Sequence, residues 1–154
     1  RGARDRGALV NAWSFAGRSV TYVYEGPLPS VLSKNGRKAH WAVVGRATAQ
    51  VRDAAGWAAL AAMQEAGLER PPVGEAVFSH AHVTVENFWC GPHQLDIDGL
   101  AAAAAPLVDA AQDVGLIIDD NPRVTTREYL GGDAQRVKQR SQRRVRVTIT
   151  EVLS

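Results

Sequence analysis

Between Trp41 and Gly67 the apolar residues fall into one helical stripe, within a chain that also carries alternating apolar segments. Val44, Ala47, Val51, Ala55, Ala58 and Ala62 recur every three or four positions, the spacing that gathers side chains on one face of an α-helix. Gly67 is a natural C-terminal stop, and Gly45 and Gly56 weaken the helix without forbidding it. A helix of this length has one apolar stripe to cover, and the alternating segments supply the sheet that covers it.

Ser19 to Tyr24 is β-branched and aromatic, a strand by composition, stopped by Gly26, Pro27 and Pro29. A polar, basic loop follows through Ser30, Ser33, Lys34, Asn35, Gly36, Arg37 and Lys38. After Pro71, Pro72 and Gly74, residues 76–86 alternate: Ser79, Ala81, Val83 and Val85 face one way, and His80, His82, Thr84 and Glu86 the other. Residues 87–97 are irregular. Asp98 then precedes an alanine-rich helix with Leu100, Ala104, Leu107, Ala111 and Val114 on one side, ending at Gly115. Pro106 inside it predicts a kink or a late start. The turn Asp119-Asp120-Asn121-Pro122 leads to two strands, 123–130 and 143–152, expected to join as a hairpin across Gly131-Gly132. The order is β-α-β-α-β-β, an α+β fold with a single mixed β-sheet and two main helices on one face. Residues 1–18 are expected to be a loosely attached lead-in, and residues 19–154 one domain without repeats.

Charge is modest in total and uneven in place. The 154 residues carry 18 basic and 16 acidic side chains, a net charge of +2. Arg136, Lys138, Arg140, Arg143, Arg144 and Arg146 crowd one stretch without an acid. Asp96, Asp98, Asp109, Asp113, Asp119 and Asp120 share another without a Lys or Arg. Such a chain can draw a polyanion to one region and a cation to the other, although a basic run taken alone is more often a solvated loop. A single cysteine, Cys90, excludes an internal disulfide and fits a reducing, cytoplasmic setting. No apolar run approaches the roughly 20 residues of a membrane span, and the N-terminus lacks a secretory pattern. No phosphate-binding G-x-x-x-x-G-K-[ST] occurs, so no nucleotide cofactor is expected.

The acids carry the chemistry. Asp96 and Asp98 stand two apart just before a helix, and Asp119-Asp120 lie past its far end. If the strands on either side of that helix pair, the two corners are expected to converge and seat Mg²⁺, which takes a few carboxylates and keeps its remaining places for water and phosphate. A purely structural role competes at each position. Asp98 is a good helix N-cap, and Asp-Asp-Asn-Pro a good turn, which leaves Asp96 as the acid without a structural task.

The stretch Asp96-Ile97-Asp98-Gly99-Leu100, with Gly115-Leu116-Ile117-Ile118-Asp119-Asp120 and the final strand Arg146-Val147-Thr148-Ile149-Thr150-Glu151, resembles the RusA family of Holliday junction resolvases. The early loop, Pro29-Ser30 and Leu32-Ser33-Lys34-Asn35 followed by His40-Trp41, is similar to that of phage-borne members. The likeness spans residues 20–152. It implies a RusA-like fold and a homodimeric endonuclease of recombination and repair that cuts four-way DNA junctions symmetrically with Mg²⁺, Mn²⁺ being able to substitute. Asp96, Asp98 and Asp120 match its catalytic, metal-binding acids, with Asp119 beside them. Lys34, Arg37, Lys38, Arg143 and Arg144 are the candidates for DNA contact. The chain departs from the family at Gly99, where Asn is usual, and at residues 101–105, all alanine where a lysine is usual. A junction-binding relative without catalysis is therefore the alternative, unless Lys34, Lys38 or a cation of residues 136–146 takes the lysine's place.

Two further patterns compete with that reading. His80 and His82, with Cys90 and His93, are residue types that suit a four-ligand Zn²⁺ site in an interaction domain, although histidines on the outer face of a strand usually have no metal. Trp13, Trp41, Trp57 and Trp89 are expected in the core, Trp89 being the one placed to stack on an exposed base.

Overall fold

The computed structural model describes residues 17–33, 40–92, 94–119 and 121–153. Four strands form one mixed sheet: β1 (Ser19–Glu25), β2 (Ala81–Phe88), β3 (Thr125–Leu130) and β4 (Arg144–Glu151). Two long helices, α1 (Trp41–Glu65) and α2 (Ile97–Asp113), pack against it, so the architecture is α+β. The sheet order is β1-β4-β2-β3. β4 is antiparallel to both its neighbours, and β2 runs parallel to β3. Lys34, Arg37, Lys38, His93, Asp120, Trp13 and most of the expected lead-in lie outside the described residues.

Strand alternation decides which face is covered. Val20 and Tyr22 of β1, Ala81, Val83 and Val85 of β2, and Val145, Val147 and Ile149 of β4 are buried together. Their alternates, among them Thr21, Thr84, Thr148 and Thr150, stay partly or fully exposed on the opposite face. Against the buried face α1 presents Ala47, Val51, Ala55, Ala59 and Met63, spaced four apart, and α2 presents Leu100, Ala103, Ala104, Leu107 and Ala111. Small alanines on both helices permit their close approach. Both helices end in a left-handed glycine, Gly67 (φ 73°) and Gly115 (φ 83°). Each closes a paired return to the last turn, Leu68 N–H to Met63 O and Leu116 N–H to Ala111 O, both at 2.9 Å.

Several sequence expectations change. β3 and β4 do not form a hairpin: residues 131–143 cross from the edge of the sheet to its interior, where β4 lies between β1 and β2. α2 begins at Ile97, well before Pro106, which sits buried within the continuous helix. Trp41 and Trp57 are 80% and 69% exposed rather than in the core. Trp57 lies two residues from both Ala55 and Ala59, which turns it about 200° from the buried stripe. Trp89, at 8%, is buried as expected.

Polar ties fasten the layers. The buried Tyr22 hydroxyl donates to the Leu107 carbonyl at 2.6 Å, and burial pushes its phenol far above its ordinary pKa. Arg52 of α1 grips Asp113 of α2 through two hydrogen bonds of 2.6 Å, with Asp109 at 3.8 Å. The Arg52 hydrogen bond holds the Asp113 carboxyl below its ordinary pKa. A lowered folded value means that this contribution is fully present above the unfolded-state range near pH 4 and is lost as pH falls through the folded value. Arg52→Gln should therefore flatten the loss of stability below pH 4, while costing under about 1 kcal/mol at pH 7 because the pair is half exposed. Urea unfolding at pH 2.5, 4 and 7 measures both. Tyr22→Phe should cost about 1 kcal/mol in the same assay.

Candidate functional site

A wide cleft of about 760 Å³ opens at the carboxyl ends of the parallel strands β2 and β3. Asp96 and Asp98 line one side, Tyr129 to Gly132 and Gln135 the other. The second wall is the start of the long connection to β4, and the chain just after β2 pins it. The Trp89 indole N–H donates to Gly132 O at 3.0 Å, and the Gln94 amide donates to Gly131 O. Backbone bonds link Trp89 N–H to Gln135 O at 3.2 Å and Val137 N–H to Trp89 O at 2.7 Å. Trp89 is thus a structural anchor of the cleft, with the Arg136 guanidinium 5.1 Å above its ring.

The capping role falls on the acid not assigned it from sequence. Asp96, not Asp98, is the N-cap of α2, its Oδ1 accepting the Gly99 N–H at 2.6 Å. Gly99 matters to that bond, since a Cβ there would stand 2.9 Å from Asp96 Oδ1 and force the carboxylate to move. Asp98 occupies the first turn, exposed and without a side-chain partner among the described residues. Asp98 is therefore the acid whose position the fold's hydrogen bonding leaves unexplained. The helix N-terminus also favours its negative charge.

Among the described residues, the expected convergence of Asp119 with Asp96 and Asp98 does not occur within one chain. Asp119 lies between Ile117, bridged to Phe78, and Thr125, paired with Ala81, so it stands beside the amino end of β2. Its carbonyl accepts the Thr125 hydroxyl at 2.7 Å. Asp96 and Asp98 follow the carboxyl end of the same strand, an eight-residue strand about 23 Å long. The parallel pairing is the cause. A helix joining two parallel strands must carry the chain back along the sheet, so residues flanking that helix fall at opposite ends. Asp120 lies outside the described residues. Among the described residues no three His, Cys, Asp or Glu side chains gather into a metal-holding group.

The zinc pattern is dispersed for a related reason. His82 projects from β2 near its amino end, bonded to Thr126 Oγ1 at 2.7 Å and 3.4 Å from Glu128. Cys90 lies eight residues further along the extended chain, about 26 Å away, and cannot share an ion with it. His93 lies outside the described residues.

The basic stretch divides between two surfaces. Arg136, Lys138 and Arg140 are exposed on the connection between β3 and β4. Arg143 and Arg144, adjacent on an extended backbone, part company. Arg144 lies 4.1 Å from the Phe88 ring, near Arg146, which is paired to Glu86 at 2.9 Å. Arg143 instead lines a second, smaller cavity with Pro29, Ser30 and Asn87. Gln94 and Gln135 of the cleft, and Asn87 of the smaller cavity, were missed by sequence reading. The signal for Asn87 was one polar side chain continuing the inward register of Ala81, Val83 and Val85.

The chain matches no protein-family model and no curated protein.

The exposed carboxylates of Asp96 and Asp98 give the cleft hard oxygen donors, the chemistry that suits Mg²⁺ rather than a softer ion. The cap and the ligand role of Asp96 can be separated by substitution. Asp96→Ala should lower stability by about 1 kcal/mol, and Asp96→Asn, which retains a capping oxygen, by far less. Thermal melts of the two variants check the difference.

Proposed function

We propose that this chain is a Mg²⁺-dependent, structure-selective endonuclease that cuts branched DNA, four-way junctions foremost. The reading is carried by the contiguity of an acid pair and a basic arm. The 131–135 wall of the Asp96–Asp98 cleft continues directly into Arg136, Lys138, Arg140 and Arg143. The RusA-like sequence pattern across residues 20–152 points the same way.

Asp98 and the second oxygen of Asp96 would hold the ion, and Mg²⁺ bound there supplies Lewis-acid polarisation of a phosphoryl oxygen. The capping bond to Gly99 holds the Asp96 carboxylate against the helix end. The exposed cations of the 136–140 segment bind flanking phosphates, which position the duplex arms without reading their sequence. Residues 101–105 of α2 are all alanine, so any cation that offsets charge on the reacting phosphate comes from the arm or from the early basic loop.

The placement of Asp119 gives the proposed homodimer a task. Asp119 stands at the opposite end of β2 from Asp96 and Asp98 of its own chain, so in the proposed homodimer it would reach their cleft from the second copy. Mixed dimers of Asp98→Asn and Asp119→Asn chains would then keep one intact cleft and nick one strand of a junction.

A cleavage assay on synthetic junction, fork and duplex DNA tests the reading. Cutting of the junction is expected with Mg²⁺ and not with EDTA. Asp98→Asn and Asp96→Asn should each lower the rate by more than the roughly 100-fold that loss of an outer-shell metal partner costs, while junction binding persists. Wild-type rates in either variant would remove the metal-site assignment. The alanines at 101–105 favour a second reading, junction binding without catalysis. It predicts tight, salt-sensitive binding and no cutting with Mg²⁺ or Mn²⁺.

A further inference from the structure

Asn87 is an inward-facing residue of β2, 8% exposed, in a row otherwise made of Ala81, Val83 and Val85. Its amide has no hydrogen-bond partner in the described protein. Burying an unpaired amide costs free energy, and a strand core has no need of one. No sealed side-chain nitrogen or oxygen is left unpaired among the described residues, so the amide is not entombed. Asn87 lines a cavity of about 210 Å³ between the Pro27–Ser33 turn, the end of β2 and α2, with Leu95 as the wall it shares with the acidic cleft. Pro29, Leu95 and Ala103 give it apolar walls. Arg143 also borders it, its Nε donating to Arg140 O at 3.1 Å and its terminal nitrogens without a hydrogen-bond partner among the described residues.

We propose that this cavity takes one unpaired nucleobase of a bound DNA, with Asn87 paired to the base edge and Arg143 to its phosphate. The proposal rests on the DNA-binding reading above and deepens it by naming what would be read at a branch point. An asparagine amide offers a donor beside an acceptor, the complement of adenine N6–H and N7. Proteins that hold an extruded base bond its edge and sandwich its faces between apolar or aromatic side chains, which the prolines, Leu95 and Ala103 can do here. The cavity is below the size of a drug-like pocket and suits a single heterocycle. A guanidinium with free N–H groups at its border suits the attached phosphate. Selectivity follows: an unpaired base has no pairing to lose and costs less to extrude than one in continuous duplex.

Fluorescence anisotropy with bulged and four-way DNAs, carrying either one unpaired adenine or an abasic site at the same position, tests the pocket. The wild-type chain should bind the adenine form about 10-fold more tightly. Asn87→Leu should abolish that preference, leave binding to the abasic DNA unchanged, and melt no lower than wild type, because an unpaired amide has been removed. Equal wild-type affinity for the adenine and abasic DNAs would overturn the pocket and leave the DNA-binding reading standing. Absence of salt-sensitive binding to any of these DNAs would remove both. A lower melting temperature for Asn87→Leu, with affinity for both DNAs falling together, would overturn the pocket by making Asn87 structural. Deoxyadenosine monophosphate alone should not displace the DNA at concentrations that saturate the protein with junction. Displacement would mark a free-nucleotide site and overturn the assignment to a DNA base.

Discussion

Strand β4 is hydrogen-bonded along both edges, to β1 on one side and β2 on the other, and the remaining architecture is arranged around it. It is the last strand in sequence and an interior strand in space. Its buried residues Val145, Val147 and Ile149 lie at the centre of the core, each with none of its surface exposed. Pairing across more than a hundred residues carries a loop-closure cost that only extensive apolar burial offsets. The Arg18–Glu151 ion pair and the Tyr22–Leu107 hydrogen bond then tie β1 to β4 and to α2.

Placing β4 in the interior leaves β3 to pair with β2 alone, in parallel, and this governs the site. The β2-α2-β3 unit puts Asp96 and Asp98 at the carboxyl ends of the strands and Asp119 at the amino ends. It also makes the connection from β3 to β4 long, so that the chain crosses beside the acids before re-entering the sheet. That crossing is where the arginines and lysine of residues 136–143 sit, which makes the neighbourhood of acidic cleft and basic arm a consequence of topology.

Helix α2 does two jobs at its first turn. Asp96 closes the orphan Gly99 N–H, and Asp98, the second residue of the helix, gains from the dipole without a hydrogen-bonding duty among the described residues. Gly99 permits the tight cap by offering no Cβ. The second cavity lies just behind, where Asn87 interrupts an otherwise apolar row. Two polar features, one exposed and one buried, thus flank the same corner of the sheet.

Period and punctuation were legible in the residues themselves. The α1 stripe at Ala47, Val51 and Ala55, the stops at Gly67 and Gly115, and the inward register of Ala81, Val83 and Val85 follow from steric rules that act over a few residues. Strand partnership did not follow, because the alternating pattern of β3 and β4 is the same whether they pair with each other or with β2. Only the packed core chose between them, by burying both edges of β4. The separation of Asp119 from Asp96 and Asp98, the exposure of Trp41 and Trp57, and the cap on Asp96 all depend on that choice or on helix phase. Local chemistry thus set which residues are able to act, and long-range pairing set which of them stand together.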